Sequence, residues 1–268
     1  DGIKRAMGFL AKWRIHRQVR SGNRVEVSEK DGVRTLHLGN DTVQSAMRIK
    51  APFELELAYT RAMLACLLFH RAPQRFLMIG LGGGSVPKWV WKHLPEADIT
   101  VVEINPEVVA VARQFFHVPP DDGRFRVVVA DGARYVQEHP GPWDILMVDG
   151  YDEHCQVEAL TTAGFYGDCR AALADDGILV INLWSSDGNF NTLVERLFEV
   201  FDGLVLLLPA GSHSNVIALC FARSPNHPKW DDLRQRALEL GARHGMDFRV
   251  WVDGLRRLNL HNLRRLLI

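Results

Sequence analysis

The glycine-rich stretch Gly80-Leu81-Gly82-Gly83-Gly84 ends one apolar run, and Glu103, Asp131, Asp149 and Asp152 end or follow others. These residue types suit a nucleoside. Glycines let backbone approach a ligand closely, and an acid at the end of the next strand accepts hydrogen bonds from ribose hydroxyls. Glu103 lies 23 residues after Gly80, within Val101-Val102-Glu103-Ile104-Asn105. Asp131-Gly132 follows Val127-Val128-Val129-Ala130 and suits the adenine amino group; the alternative is a cap on the next helix. Asp149 and Asp152 leave the run Ile145-Leu146-Met147-Val148. An alkylammonium becomes a nucleophile only after losing a proton, and a carboxylate in a crevice can both bind it and take that proton.

The sign of the charge discriminates between ligands. A dinucleotide brings a pyrophosphate, which prefers a helix N-terminus and basic or neutral donors. Glu103, Asp131, Asp149, Asp152 and Glu153 would repel it. They suit a sulfonium nucleoside and an amine co-substrate, and their crowding is expected to raise their pKa values.

Elements must position these residues. Strands are expected over 75–79, 99–103, 125–129, 144–149 and 177–183, alternating with helices over 85–94, 106–116, 132–138, 160–174 and 190–201. That rhythm implies a doubly wound, mostly parallel sheet. Leu204–Leu208 and Val216–Phe221 lack an intervening helix and read as an antiparallel pair closing the sheet edge. The fold class is therefore α/β, a class I methyltransferase-type Rossmann fold with a seven-stranded sheet. Ahead of it, 24–29 and 33–38 alternate around Asp31-Gly32 as a hairpin, and 42–49 adds a third strand. Helical spacing follows over 54–69. Residues 1–60 read as a basic segment plus a small β module, and 61–268 as the nucleoside-binding domain with a helical, basic C-terminal extension.

Lys plus Arg equals Asp plus Glu, at 32 each, which argues against a nucleic-acid binder. No apolar run approaches a membrane span of ~20 residues. Cys66, Cys155, Cys169 and Cys220 have no ligand spacing and read as reduced thiols in the cytoplasm. The eleven histidines show none either, so no metal is expected.

These motifs together resemble the spermidine synthase (polyamine aminopropyltransferase) family over roughly residues 24–223. The resemblance rests on Tyr59, Gly80–Gly84, Val102-Glu103-Ile104-Asn105, Asp131-Gly132 and Asp149-Gly150-Tyr151-Asp152. It implies aminopropyl transfer from decarboxylated S-adenosylmethionine to an amine, leaving methylthioadenosine. It places Gly80, Gly82, Gly83, Gly84, Glu103, Asp131 and Gly132 on the nucleoside, Asp149 as the base and Asp152 as the anchor of the substrate, with Tyr59 a further catalytic residue. Tyr151, Glu153 and Trp184 are expected in the acceptor pocket. The resemblance allows a homodimer or homotetramer.

The chain also departs from the family. The aspartate of the family's Gly-Gly-Gly-Asp-Gly, which grips the aminopropyl amine, is Gly83 here. Tyr-His-Glu or Tyr-Gln-Glu is Tyr59-Thr60-Arg61, and Asp-Ser-Thr-Asp-Pro is Asp149-Gly150-Tyr151-Asp152-Glu153. Without that aspartate the pocket no longer repels the carboxylate of intact S-adenosylmethionine, and Arg61 is expected near enough to pair with it. Methyl transfer is therefore the runner-up, and a nucleoside-binding protein without turnover the third reading.

Overall fold

A computed structural model describes residues 25–39, 43–150, 157–211 and 214–268. Three antiparallel strands open it: β1 (Val25–Lys30), β2 (Val33–Leu38) and β3 (Ser45–Arg48). Asp31 and Gly32 take φ of 52° and 76°, the left-handed pair that a two-residue hairpin turn demands. Helix α1 (Ala58–Met63) and a 3-10 turn (Leu64–Leu68) then lead into the main sheet.

That sheet takes β4 (Arg75–Ile79), β5 (Asp98–Glu103), β6 (Phe125–Val129), β7 (Trp143–Val148), β8 (Leu173–Trp184), β9 (Val205–Pro209) and β10 (Asn215–Phe221). Their order is β6-β5-β4-β7-β8-β10-β9, and β10 alone runs against its neighbours. The central strands bury both faces, as continuous apolar runs in a covered parallel sheet must. Helices α2 (Ser85–His93), α3 (Pro106–Phe115), α4 (Gly132–Glu138), α5 (Ala163–Ala172) and α6 (Phe190–Val200) connect the strands. Two apolar cores result, one around Phe76, Trp89 and Val101, the other around Leu77, Leu146 and Leu179.

The helix expected over 160–174 is shorter and differently bounded. Glu158–Leu160 form a 3-10 turn, and the Thr162 side chain caps α5 by accepting the Phe165 N–H. Leu173 is already extended, at φ −75° and ψ 149°, and begins β8. Apolar spacing continued through both junctions, so periodicity alone could not find them. At the C-terminus, α7 (Trp230–His244) and α8 (Arg249–Leu258) are helical as expected, but the last ten residues are not. They fold back through bridges Lys229–Arg265 and His261–Leu266.

Candidate active site

The crevice lies beyond the C-terminal ends of β4, β5 and β7, where open α/β sheets bind ligands. Its floor is the glycine turn, several of whose N–H groups are held within the protein. Gly80 N–H donates to the Val102 carbonyl (2.9 Å) and Gly84 N–H to that of Leu81 (2.8 Å). Gly80 has φ of +93°, and a Cβ there would stand 2.3 Å from the Asp149 carbonyl oxygen. Only glycine permits so close a crossing.

Glu103 ties this turn to β5. Its carboxylate accepts the Leu81 and Asn105 N–H groups, both at 2.9 Å. Burial raises its pKa, and the backbone N–H donors oppose that rise. Asp131 sits exposed at the rim, and its Oδ1 caps α4 by accepting the Arg134 N–H at 2.9 Å. Asp131 also lines the cleft with Gly132.

Asp149 is the centre of a polar network. Its Oδ1 accepts from Asn182 Nδ2 (2.9 Å) and its Oδ2 from the Tyr59 hydroxyl (3.1 Å). Asn182 Oδ1 in turn accepts from Asn215 Nδ2 (2.9 Å), and the Tyr59 hydroxyl also reaches the Gln44 carbonyl (3.2 Å). Burial pushes the Asp149 pKa up, while the bonds from Asn182 and Tyr59 hold it down. Among the described residues burial is thus the cause, rather than the mutual repulsion of crowded acids expected from the sequence.

The cleft encloses about 790 Å³ of space, counting the part open to solvent. Glu103, Asp131 and Asp149 line it, and no Lys, Arg or His does so among the described residues. A second, smaller cavity adjoins it across Ser45, Gly80 and Asp149, lined by Tyr59, Thr60, Met63, Met78 and Met147. The whole suits a cationic nucleoside with an alkyl arm reaching past Asp149.

Gly80 and Gly82 line the cleft, whereas Gly83 and Gly84 shape the turn from behind. Gly83 N–H donates to Ser45 Oγ (2.8 Å), and a Cβ there would lie 2.9 Å from both Phe116 Cδ1 and Ser45 Cβ. The missing aspartate is therefore matched by neighbours that fill its place. Trp184 ends β8 opposite Asn215, and the described lining of the two cavities does not include it. Tyr151, Asp152, Glu153, His154 and His213 lie outside the described residues.

Arg61 corrects an expectation. Its guanidinium donates to the carbonyls of Leu55 (2.7 Å) and Glu56 (3.3 Å) and borders a separate groove beside α8. The reason is helical geometry: residues two apart point about 200° apart, so with Tyr59 facing the crevice Arg61 faces away. Sequence reading missed Gln44, Ser45, Asn182 and Asn215. Only Asn182 carried a signal, as an amide inside the apolar run Ile178–Leu183. Gln44 lines the cleft, and its Nε2 is buried with no hydrogen-bond partner among the described residues, a donor poised for a ligand.

Fold and site define an α/β protein of the methyltransferase-type Rossmann class, with an acidic crevice. The spermine/spermidine synthase domain profile matches residues 56–191. The polyamine aminopropyltransferase of Chromobacterium violaceum is 43% identical over 255 residues, covering 95% of this chain and 98% of that one. Its counterpart in Neisseria meningitidis serogroup A is 44% identical over 239 residues, 89% of this chain and 91% of that one. The chain belongs to the spermine/spermidine synthase family. Solved structures agree on the fold. A spermidine synthase in complex with the transition-state analogue AdoDATO superposes with a TM-score of 0.73 at 22% identity, covering 90% and 85% of the two chains. Human methyltransferase-like protein 13 in complex with SAH gives 0.63 at 25% identity, covering 77% and 96%.

Proposed function

We propose that this chain transfers the aminopropyl group of decarboxylated S-adenosylmethionine to a small amine or polyamine. The observation that carries the reading is Asp149, one half-buried carboxylate bordering both the nucleoside-sized cleft and the methionine-lined cavity beside it. The acceptor arrives as an ammonium and loses a proton to Asp149. Its lone pair then attacks the aminopropyl carbon bonded to sulfur. The C–N bond forms as the C–S bond breaks, the electron pair passes to sulfur, and neutral methylthioadenosine leaves. The sulfonium is already activated, so no step calls for a metal, and alignment supplies much of the rest.

The raised pKa of Asp149 brings it nearer to the pH at which a base works best. Its network also accommodates the proton. Protonated Asp149 can donate to Tyr59 Oη, while the Tyr59 hydroxyl turns to the Gln44 carbonyl. Glu103 is assigned to the ribose, Asp131 and Gly132 to the adenine, and Asp152, Tyr151, Glu153 and Trp184 to the acceptor. A homodimer or homotetramer in the cytoplasm, and a division near residue 60, belong to the same proposal.

Methyl transfer from intact S-adenosylmethionine is the weaker reading, since Arg61 turns away and the described cleft offers its carboxylate no cation. A mass-spectrometric transfer assay decides between them. Both donors are offered against a panel of diamines and polyamines. Aminopropylated product and methylthioadenosine from the decarboxylated donor alone are expected, and methylated product from the intact donor would overturn the proposal.

A further inference from the structure

A second constellation lies at the opposite end of the sheet. His70 follows the 3-10 turn Leu64–Leu68, and Asp144 is the second residue of β7. Asp176 stands in a bulge of β8, which advances five residues (173 to 178) while β7 advances two (143 to 145). Such a bulge re-aims side chains. All three lie near the N-terminal ends of β4, β7 and β8.

One ligand atom from each of the three lies within 4.8 Å of the others, and His70 Nε2 is 3.6 Å from Asp176 Oδ1. Asp144 is already oriented, because the backbone N–H groups of Gln74 and Arg75 donate to its Oδ2 at 2.7 and 3.0 Å. That carboxylate keeps further lone pairs for a cation. The His70 side chain is only 9% exposed, and both ring nitrogens are buried with no hydrogen-bond partner among the described residues. A buried polar group without a hydrogen bond is costly, and a metal ion on the imidazole would remove that cost.

We propose that His70, Asp144 and Asp176 bind one divalent transition-metal ion, with water completing its coordination. Two carboxylates balance the dication, and the imidazole selects a borderline metal such as zinc over magnesium or calcium. The ion would clamp the segment ahead of β4 to the starts of β7 and β8. It takes no part in transfer at the crevice.

The test titrates Zn²⁺ calorimetrically into the full chain after chelator treatment, beside the variants His70→Gln and Asp176→Asn. Equimolar binding is expected, weakened at least about tenfold in either variant. Zinc should raise the Tm of the unmodified chain and not that of Asp176→Asn, and magnesium should raise neither. Asp176 is exposed, so its substitution tests the site even where His70→Gln fails to fold. No binding, or equal affinity in the Asp176→Asn chain, would overturn the proposal.

Discussion

Replacing Asp149 by asparagine distinguishes a catalytic carboxylate from a structural one, because the two roles predict opposite changes in stability. Asparagine has the same shape, and the surrounding network can accept it. Its Oδ1 would take the Asn182 Nδ2 donor that now lies 2.9 Å from Asp149 Oδ1. Its Nδ2 would donate to Tyr59 Oη, 3.1 Å from the present Oδ2, while the Tyr59 hydroxyl donates to the Gln44 carbonyl at 3.2 Å. Only the charge and the basic oxygen are lost. Burial raises the Asp149 pKa, so the folded chain disfavours the ionised form. That cost is absent below the unfolded pKa and complete above the folded one, at about 1.4 kcal/mol for each unit of rise. At neutral pH the variant should therefore melt at the same temperature or higher, and the difference should shrink as pH falls. Loss of a general base should lower kcat by about 10²–10⁴-fold, or about 3–5 kcal/mol of barrier. The KM for the nucleoside donor should barely move. Steady-state release of methylthioadenosine and thermal melts across acidic and neutral pH supply every quantity. A lower Tm with weakened donor binding would make Asp149 a structural residue, and undiminished turnover would place the base elsewhere.

Asn182→Leu removes a donor that holds the Asp149 pKa down, so the acid limb of the kcat–pH profile should move to higher pH and activity should recover on raising the pH. An unmoved limb would leave Asn182 with a packing role only. Lys88 is buried, donates to the Phe116 carbonyl at 2.6 Å, and has its pKa lowered by burial to about 7 from 10.5. Between those values the unfolded chain holds a proton that the folded chain has released, so folding stability should rise with pH across that window. Melts of Lys88→Met over the same range should lose that slope, and an equal slope in both chains would refute the assignment. Gly83→Asp should cost about 1–3 kcal/mol from overpacking against Phe116 and Ser45 without tightening the donor KM. A stable variant with a KM lowered about tenfold would mean that this turn can still hold the family's aspartate.

The parts of the site legible in the sequence are those fixed by local chain geometry. The apolar runs at 75–79 and 99–103 become β4 and β5 within a residue, because a strand covered on both faces has no polar positions to blur its ends. The glycine turn and Glu103 close two adjacent strands, so their meeting follows once the sheet is parallel. Asp149 follows for the same reason at the end of β7. The remainder comes from contacts between elements. Gly83 meets Ser45 across 38 residues, Asp149 meets Tyr59 across 90, and Asn182 meets Asn215 across 33. Of the partners Ser45, Tyr59, Asn182 and Asn215, only Tyr59 was found, and through the family motif, since nothing in its neighbours foretells the contact.

Arg61 and His70 show the two ways in which spacing misleads. Arg61 is two residues from a site residue and points away from the site, since a helix turns about 100° per residue. His70, Asp144 and Asp176 have no ligand spacing at all, which is why the histidines suggested no metal. They meet because β4, β7 and β8 are consecutive neighbours in the sheet, and their starts share one edge. A parallel sheet brings distant residues together at both of its ends. Periodicity read along the chain identifies the strands, but what gathers at the starts depends on bulges and loop lengths. The excess of residues between Leu173 and Ile178 that carries Asp176 has no apolar signature of its own.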